Sequence, residues 1–372
     1  MKVLILTQKV DIDDPILGFF HSWILEFAKN CEKAIVICLE KGKYEFPENV
    51  KVLSLGKEKI RIKNQESRIN NNFFFLISNF FKKIKYTLRF YNLIWEYRKD
   101  YDAVFAHMNP EYVVLGGLFW KLWNKRIGLW YNHKEVNLKL RIAEKLSDKI
   151  FTAAEESFRI KSKKINISGH GISLNKVKVE SQKLKVNAGK NFKIIYVGRI
   201  SPIKNQKLLI EAADVLINEE KVKNLKFKFI GAPIFESDKI YFNELKNLAA
   251  EKNISFYFEF AGNISHKKVF EEYNIADLSI NLCPTGGIDK AVLESMACGS
   301  MIIVYNKAFK KILPMDFILN MPDKRELAEK IKWIININEE QKNKIKREMI
   351  EEIERNHNLC NLIYKIIIEL KS

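Results

Sequence analysis

Residues 284–299 read PTGGIDKAVLESMACG and lie between two apolar runs, 278–282 and 301–305. The runs predict short buried strands, and residues 289–298 predict one helix, with Asp289 as N-cap or first-turn acid and Gly299 as a left-handed stop. A Thr-Gly-Gly loop feeding a helix leaves backbone amides to face an anion, and its missing side chains let a ligand approach closely. Two turns into the helix sits Glu294, flanked by Leu293 and Met296. A carboxylate among apolar neighbours needs a partner; ribose hydroxyls are one reading, and an ordinary helix acid at a domain rim is the other.

Nearly a hundred residues upstream, FKIIYV at 192–197 predicts a strand, and residues 206–218 carry a helical pattern. Between them runs GRISPIKN, so Arg199 and Lys204 project from the loop that follows a strand. In a parallel sheet that is the carboxyl edge, where ligands bind. A forked guanidinium and a point-charge ammonium together suit a diphosphate.

In these residues the chain resembles the GT-B glycosyltransferases, specifically the retaining family 4, whose donors are nucleotide-diphospho-sugars. GRISPIK at 198–204 is similar to that family's G-R-x-x-x-x-K, and IDKAVLESMACGSMIIV at 288–304 to the second half of its paired-glutamate motif. FAGNIS at 260–265, YNIADLSINLCP at 273–284 and GHGIS at 169–173 extend the likeness. The resemblance implies two Rossmann-like doubly wound domains facing each other across a cleft, with Arg199 and Lys204 on the diphosphate. It also implies Glu294 on the ribose and the base near Gly262, Asn263 and Ile264. Gly198 and the amides of Thr285, Gly286, Gly287 and Ile288 would complete the donor site. The family's first glutamate falls at Gly286, and Asp289 is the nearest acid that reaches the same space.

At 372 residues and 47% hydrophobic content, the chain is long and apolar enough for two cores. The expected division is 1–173, with a C-terminal helix of about 350–372 packing back on it, and 174–349. The N-terminal MKVLILTQKV predicts a first strand and not a signal peptide, and no apolar run approaches the roughly 20 residues of a membrane span. Cys31, Cys38, Cys283, Cys298 and Cys360 show no C-x-x-C pairing and read as reduced residues in mainly apolar settings, which points to a cytoplasmic protein.

In the first domain, strands are expected at 3–7, 34–39, 50–55, 103–106, 127–131, 149–153 and 165–167. Gly18 stands where the resembled family has a glycine loop beside donor and acceptor, although the usual double glycine is absent. His107 and His133 end two strands at the ligand edge. Their surroundings lack the Cys, Asp or second-His partners of a metal site, and no cofactor is expected. By resemblance, His133 is the active-site histidine and His107 a donor contact.

Residues 57–99 interleave eleven Lys and Arg with large aromatics, as in FFFLISNFFKKIKYTLRFYNLIWEY. With a net charge of +18, this suits the surface of an anionic membrane. A core helix with a solvated face is equally compatible, and a nucleic-acid surface lacks any accompanying motif.

The resulting expectation is a metal-independent, retaining glycosyltransferase that moves a hexose-type sugar to a glycan or lipid-linked acceptor in cell-envelope polysaccharide or glycolipid synthesis. It would be cytoplasmic, with peripheral contact at the inner membrane face. The alternatives are a nucleotide-sugar epimerase of the same fold and a non-catalytic basic module.

Overall fold

The structure, a computed structural model, describes residues 1–14, 16–58, 72–174, 191–284 and 287–372, and of residues 72–80 only the backbone. The expected linker at 174–190, apart from its first residue, and the Thr285 and Gly286 loop positions therefore lie outside the described residues. The chain divides into two compact units, Met1–Gly171 with Leu359–Ser372, and Ile172–Asn358.

The first unit holds parallel strands β1 (Lys2–Val10), β2 (Lys33–Lys41), β3 (Val50–Ser54), β4 (Ala103–His107), β5 (Arg126–Trp130), β6 (Lys149–Thr152) and β7 (Ile165–Ile167). Their order is β3-β2-β1-β4-β5-β6-β7, which reverses direction between β1 and β4. Side chains alternate across a strand, so β1 feeds two cores. Val3 and Ile5 face α1 (Phe20–Asn30) through Phe20, Trp23 and Phe27. Leu4 and Leu6 join Phe90 and Ile94 of α2 (Asn72–Glu96), Val113 and Trp120 of α3 (Pro110–Leu122) and Leu140 of α4 (Leu138–Leu146).

The second unit holds β8 (Phe192–Val197), β9 (Leu225–Ile230), β10 (Phe258–Gly262), β11 (Leu278–Asn281) and β12 (Met301–Val304), all parallel, in the order β10-β9-β8-β11-β12. Its helices are α5 (Gln206–Asp214), α6 (Glu236–Glu251), α7 (His266–Ile275), α8 (Lys290–Ala297), α9 (Lys324–Asn336) and α10 (Glu339–Asn356). The helix expected over 206–218 stops at Asp214 and widens into a π turn closed by Glu220 N donating to Val215 O at 2.9 Å.

The C-terminal region corrects the expected helix of 350–372. Met349 and Ile353 of α10 are buried within the second unit, and Ile350 lies against Gly299. Only α11 (Leu359–Lys371) belongs to the first unit, where Leu359, Leu362, Ile363, Ile366, Ile367 and Leu370 form one buried stripe at helical spacing. Each such side chain contributes about 1.5–3 kcal/mol on burial. Gly128 of β5 makes room for this helix, since a Cβ there would sit 3.0 Å from Leu370. Cys360, on the opposite side of α11, is exposed rather than in the core.

Candidate active site

The second sheet reverses its order between β8 and β11, and the loops leaving those strands carry the candidate residues. Gly198, Gly231 and Gly262 follow or end three adjacent strands and are linked by backbone hydrogen bonds. Gly198 N donates to Ile230 O at 2.9 Å, and Gly231 N donates to Gly262 O at 2.8 Å. A Cβ on Gly231 would lie 2.0 Å from Gly198 O, and its φ of +137° suits only glycine. Gly231 was not anticipated, because nothing in its local sequence marks that close approach.

Lys204 closes the turn after β8, and its Nζ lies 2.6 Å from Asp289 Oδ2. Asp289 also accepts from Asn281 Nδ2 at 3.0 Å and, as N-cap of α8, from Ala291 N at 3.2 Å. Burial opposes both charges, yet each holds the other ionised: the Asp289 carboxyl is lowered and the Lys204 ammonium raised. Both oxygens of Asp289 are engaged, and the carboxylate tethers Lys204.

Tyr196 holds this turn in place: its buried hydroxyl donates to Lys204 O and accepts from Leu282 N at 3.0 Å. Arg199 is looser. Its Nε lies 3.9 Å from Asp238, its guanidinium lies 5.4 Å from the centre of the Phe235 ring, and its carbonyl accepts from Gln206 Nε2 at 2.9 Å. Its fork is thus open to an anion.

Glu294 is buried in α8, with Oε1 2.8 Å from His266 Nε2 and 3.4 Å from Lys290 Nζ. Burial alone would raise its carboxyl; Lys290 and His266 outweigh it and hold the group at about 2, so it is an anion at neutral pH. His266 opens α7 directly after the 262–265 turn. It therefore ties the segment containing Gly262, exposed Asn263 and half-buried Ile264 to Glu294. Gly287 O accepts from Asn306 Nδ2 at 3.0 Å, and Ile288 is buried beside it.

In the first unit, His133 is exposed after β5, and its Nδ1 accepts from Glu135 N at 3.1 Å. A neutral ring there carries its proton on Nε2, available to a ligand oxygen. Neighbouring Asn132 pairs through Nδ2 with His170 Nε2 at 3.2 Å. His107 and Gly18 are placed otherwise than expected. His107 is 2% exposed, stacked on Phe20 at 4.1 Å and flanked by Phe19 and Trp23, so it packs in the core instead of meeting a donor. Gly18 is buried because a Cβ would strike Asp14 O at 2.6 Å; its glycine serves the tightness of its own loop.

Residues 177–352 match the family model described as glycosyl transferases group 1. The matched residues fall almost wholly within the second unit, which is thus similar to a glycosyl transferases group 1 domain. Over 207 residues the chain is 28% identical to the putative glycosyltransferase EpsD of Bacillus subtilis, covering 50% of this chain and 51% of that protein. Over 122 residues it is 27% identical to a human GDP-Man:Man(3)GlcNAc(2)-PP-Dol alpha-1,2-mannosyltransferase, covering 32% of this chain and 25% of the relative. The chain thus spans about half or less of the curated relatives it matches. HepE of Anabaena, solved in complex with UDP, superimposes over 100% of both chains with a TM-score of 0.74 at 16% identity. The two parallel-sheet units and this likeness are those of the GT-B fold, and the matched residues include Arg199, Lys204 and Glu294.

Proposed function

We propose that the protein is a metal-independent, retaining glycosyltransferase of family 4 that uses a nucleotide-diphospho-sugar. The observation that carries this is the grouping of an open Arg199, a tethered Lys204 and a buried anionic Glu294 on loops and a helix around the β8–β11 switch point. The match to the group 1 family and the likeness to the UDP-bound HepE support it. Arg199 and Lys204 bind the diphosphate and stabilise the negative charge that grows as the glycosidic bond breaks. One ammonium proton of Lys204 is held by Asp289, and the other two remain for phosphate oxygens. Glu294, turned by His266 and Lys290, accepts the ribose hydroxyls. His133 offers Nε2–H to a sugar or acceptor oxygen. Retention and family membership rest on the motif resemblance at 198–204 and 288–304.

The proposed acceptor is a glycan or lipid-linked acceptor in cell-envelope polysaccharide or glycolipid synthesis, reached at an anionic membrane surface. On α2, Tyr86, Phe90, Leu93, Ile94 and Tyr97 pack inward, whereas Phe81, Ile84, Leu88 and Trp95 are exposed along one stripe. Trp95 meets Trp123 at 5.6 Å, and Tyr91 meets Phe119 at 5.6 Å, so exposed Phe119 and Leu122 extend the ridge onto α3. Lys85 and Arg89 of α2 and Lys121 of α3 are exposed as well. Among the described residues no helix is long and apolar enough to cross a membrane. A ridge of this kind suits an interface, each nearby cation adding about 1 kcal/mol on anionic lipid. Trp95→Ser with Leu122→Ser is expected to abolish sedimentation with phosphatidylglycerol-containing vesicles; unchanged sedimentation would rule the ridge out.

The donor is tested by thermal shift with UDP, GDP, ADP and their sugar conjugates on wild type and Glu294→Ala. A nucleotide at a hundredfold excess over its Kd stabilises the fold by about 2.7 kcal/mol. One nucleotide should stabilise wild type and lose that effect in the variant. Stabilisation by none of them, with binding only to lipid or nucleic acid, would leave the non-catalytic reading standing.

A further inference from the structure

The described residues that leave β1 at the order reversal of the first sheet, 11–14 and 16–18, are held by a charge cluster that the proposed chemistry does not use. Lys9 Nζ lies 2.8 Å from Asp14, 3.2 Å from Asp11 and 3.5 Å from Glu40, and all four side chains are at most 18% exposed. The same carboxylates order the backbone around them. Asp14 Oδ1 accepts from Leu17 N at 2.7 Å and Ile16 N at 2.9 Å; Asp11 Oδ1 accepts from Asp13 N at 3.2 Å and Lys43 N at 3.3 Å. Two glycines record how closely the loop is drawn in: a Cβ on Gly42 would lie 2.3 Å from the Asp11 carboxylate, and one on Gly18 would strike Asp14 O.

We propose that Lys9 is a positioning residue, a tethered cation that holds the 11–18 loop in one conformation at the ligand-binding edge of the first sheet and acts on the transfer reaction through that loop. The proposal rests on the glycosyltransferase reading for its effect on turnover. Three carboxylates converging on one point repel one another in the absence of a cation, and one central ammonium converts that repulsion into three attractions. Burial opposes the charge on both Lys9 and Asp14, but their pairing prevails, raising the ammonium and lowering the carboxyl. Lys57 also faces the cluster, 3.7 Å from Glu40 and 45% exposed, too far and too solvated to replace Lys9. Asp13 and Lys43 form a separate exposed pair at 3.4 Å that the latch does not need.

The test compares wild type, Lys9→Met, Lys9→Arg and the control Lys43→Met. Hydrogen exchange of peptides covering 11–18 in Lys9→Met should be at least about tenfold less protected at pH 7. Lys9→Arg should restore protection, and Lys43→Met should match wild type. Turnover of the donor identified by thermal shift should fall in kcat in Lys9→Met, while the Kd of its nucleotide stays unchanged. Equal protection in Lys9→Met and wild type would overturn the latch. An opened loop with unchanged turnover would overturn its role in the reaction. A wild type inert to every donor would sink the glycosyltransferase reading, and the exchange comparison would then decide the latch alone.

Discussion

The two sheets present the same edge in different chemical dress. Around the β8–β11 reversal, ions are already paired: Lys204 with Asp289, and Glu294 with His266 and Lys290. At the carboxyl ends of β4 and β5, the first sheet offers an aromatic cage around His107, the Asn132–His170 pair and an exposed His133. At the end of β1, Lys9 is paired with Asp11, Asp14 and Glu40. A site for a diphosphate needs cations that do not reorganise on binding, and pairing them in advance fixes their positions. A site for a polyhydroxylated, uncharged group needs shape and single hydrogen-bonding atoms instead. Under the proposed function, one topology would thus serve a polyanion in one unit and an uncharged group in the other.

The sharpest way to break this comparison is to change one residue at each edge. Lys204→Met should lower turnover about 10²- to 10³-fold, the effect of deleting a group that meets developing charge. His107→Phe, which keeps the packing against Phe20 and Trp23, should leave kcat and donor KM within about threefold, since volume is nearly conserved. Steady-state kinetics on both variants check this. If His107→Phe proves as damaging as Lys204→Met, the first sheet's edge is not a packing surface.

Acid offers a second route. The Glu294 carboxyl is lowered from the ordinary 4.5 to about 2. Its stabilisation is therefore complete above about 4.5 and is lost as pH falls from there through about 2. Denaturation followed by intrinsic fluorescence should show wild type losing stability in that window. Glu294→Gln should lose less of its stability over the same range, and an identical pH dependence would show that Glu294 is not held by His266 and Lys290.

How far the sequence discloses this arrangement depends on whether an interaction is local. The strand at Phe192–Val197 is read with its observed bounds, because a short, mainly apolar run between turn residues leaves little choice. Asp289 as N-cap and Gly299 at φ +71° are equally local and equally legible. The helix α4 was missed, since LKLRIAEKL buries only Leu140 and Ala143 and shows no strong stripe. Residues 255–257 form a 3-10 turn before β10. That Arg199 and Lys204 follow a strand and Glu294 lies on a helix is legible from the flanking runs. Tyr196, His266 and Gly231 are not, because each acts across a long interval, as when Tyr196 meets Leu282 86 positions away.

Tyr196→Phe probes one of those illegible contacts. It removes the hydroxyl that spans Lys204 O and Leu282 N, stranding a buried amide and a buried carbonyl. The expected cost is about 1–3 kcal/mol of stability, read from denaturant midpoints at constant m. Turnover should fall with it, because the hydroxyl sets the turn that carries Lys204.

The smallest effect separates the position of a charge from its presence. Gly299 ends α8, the helix that carries Glu294, with φ +71°; a Cβ there would meet only Ile350 Cδ1, at 3.4 Å. That contact is ordinary and involves the end of a flexible side chain, so the cost of Gly299→Ala is almost wholly the left-handed backbone, about 1 kcal/mol. Gly299→Asn, whose short polar side chain tolerates that region, should cost less than alanine. Because the start of α8 is fixed independently by Asp289 on Lys204 and Asn281, both variants should keep wild-type nucleotide affinity while melting earlier. Loss of affinity in Gly299→Ala would mean that Glu294 is positioned from the C-terminal end of its helix, and that the pre-paired ions at its N-terminus do not by themselves fix the site.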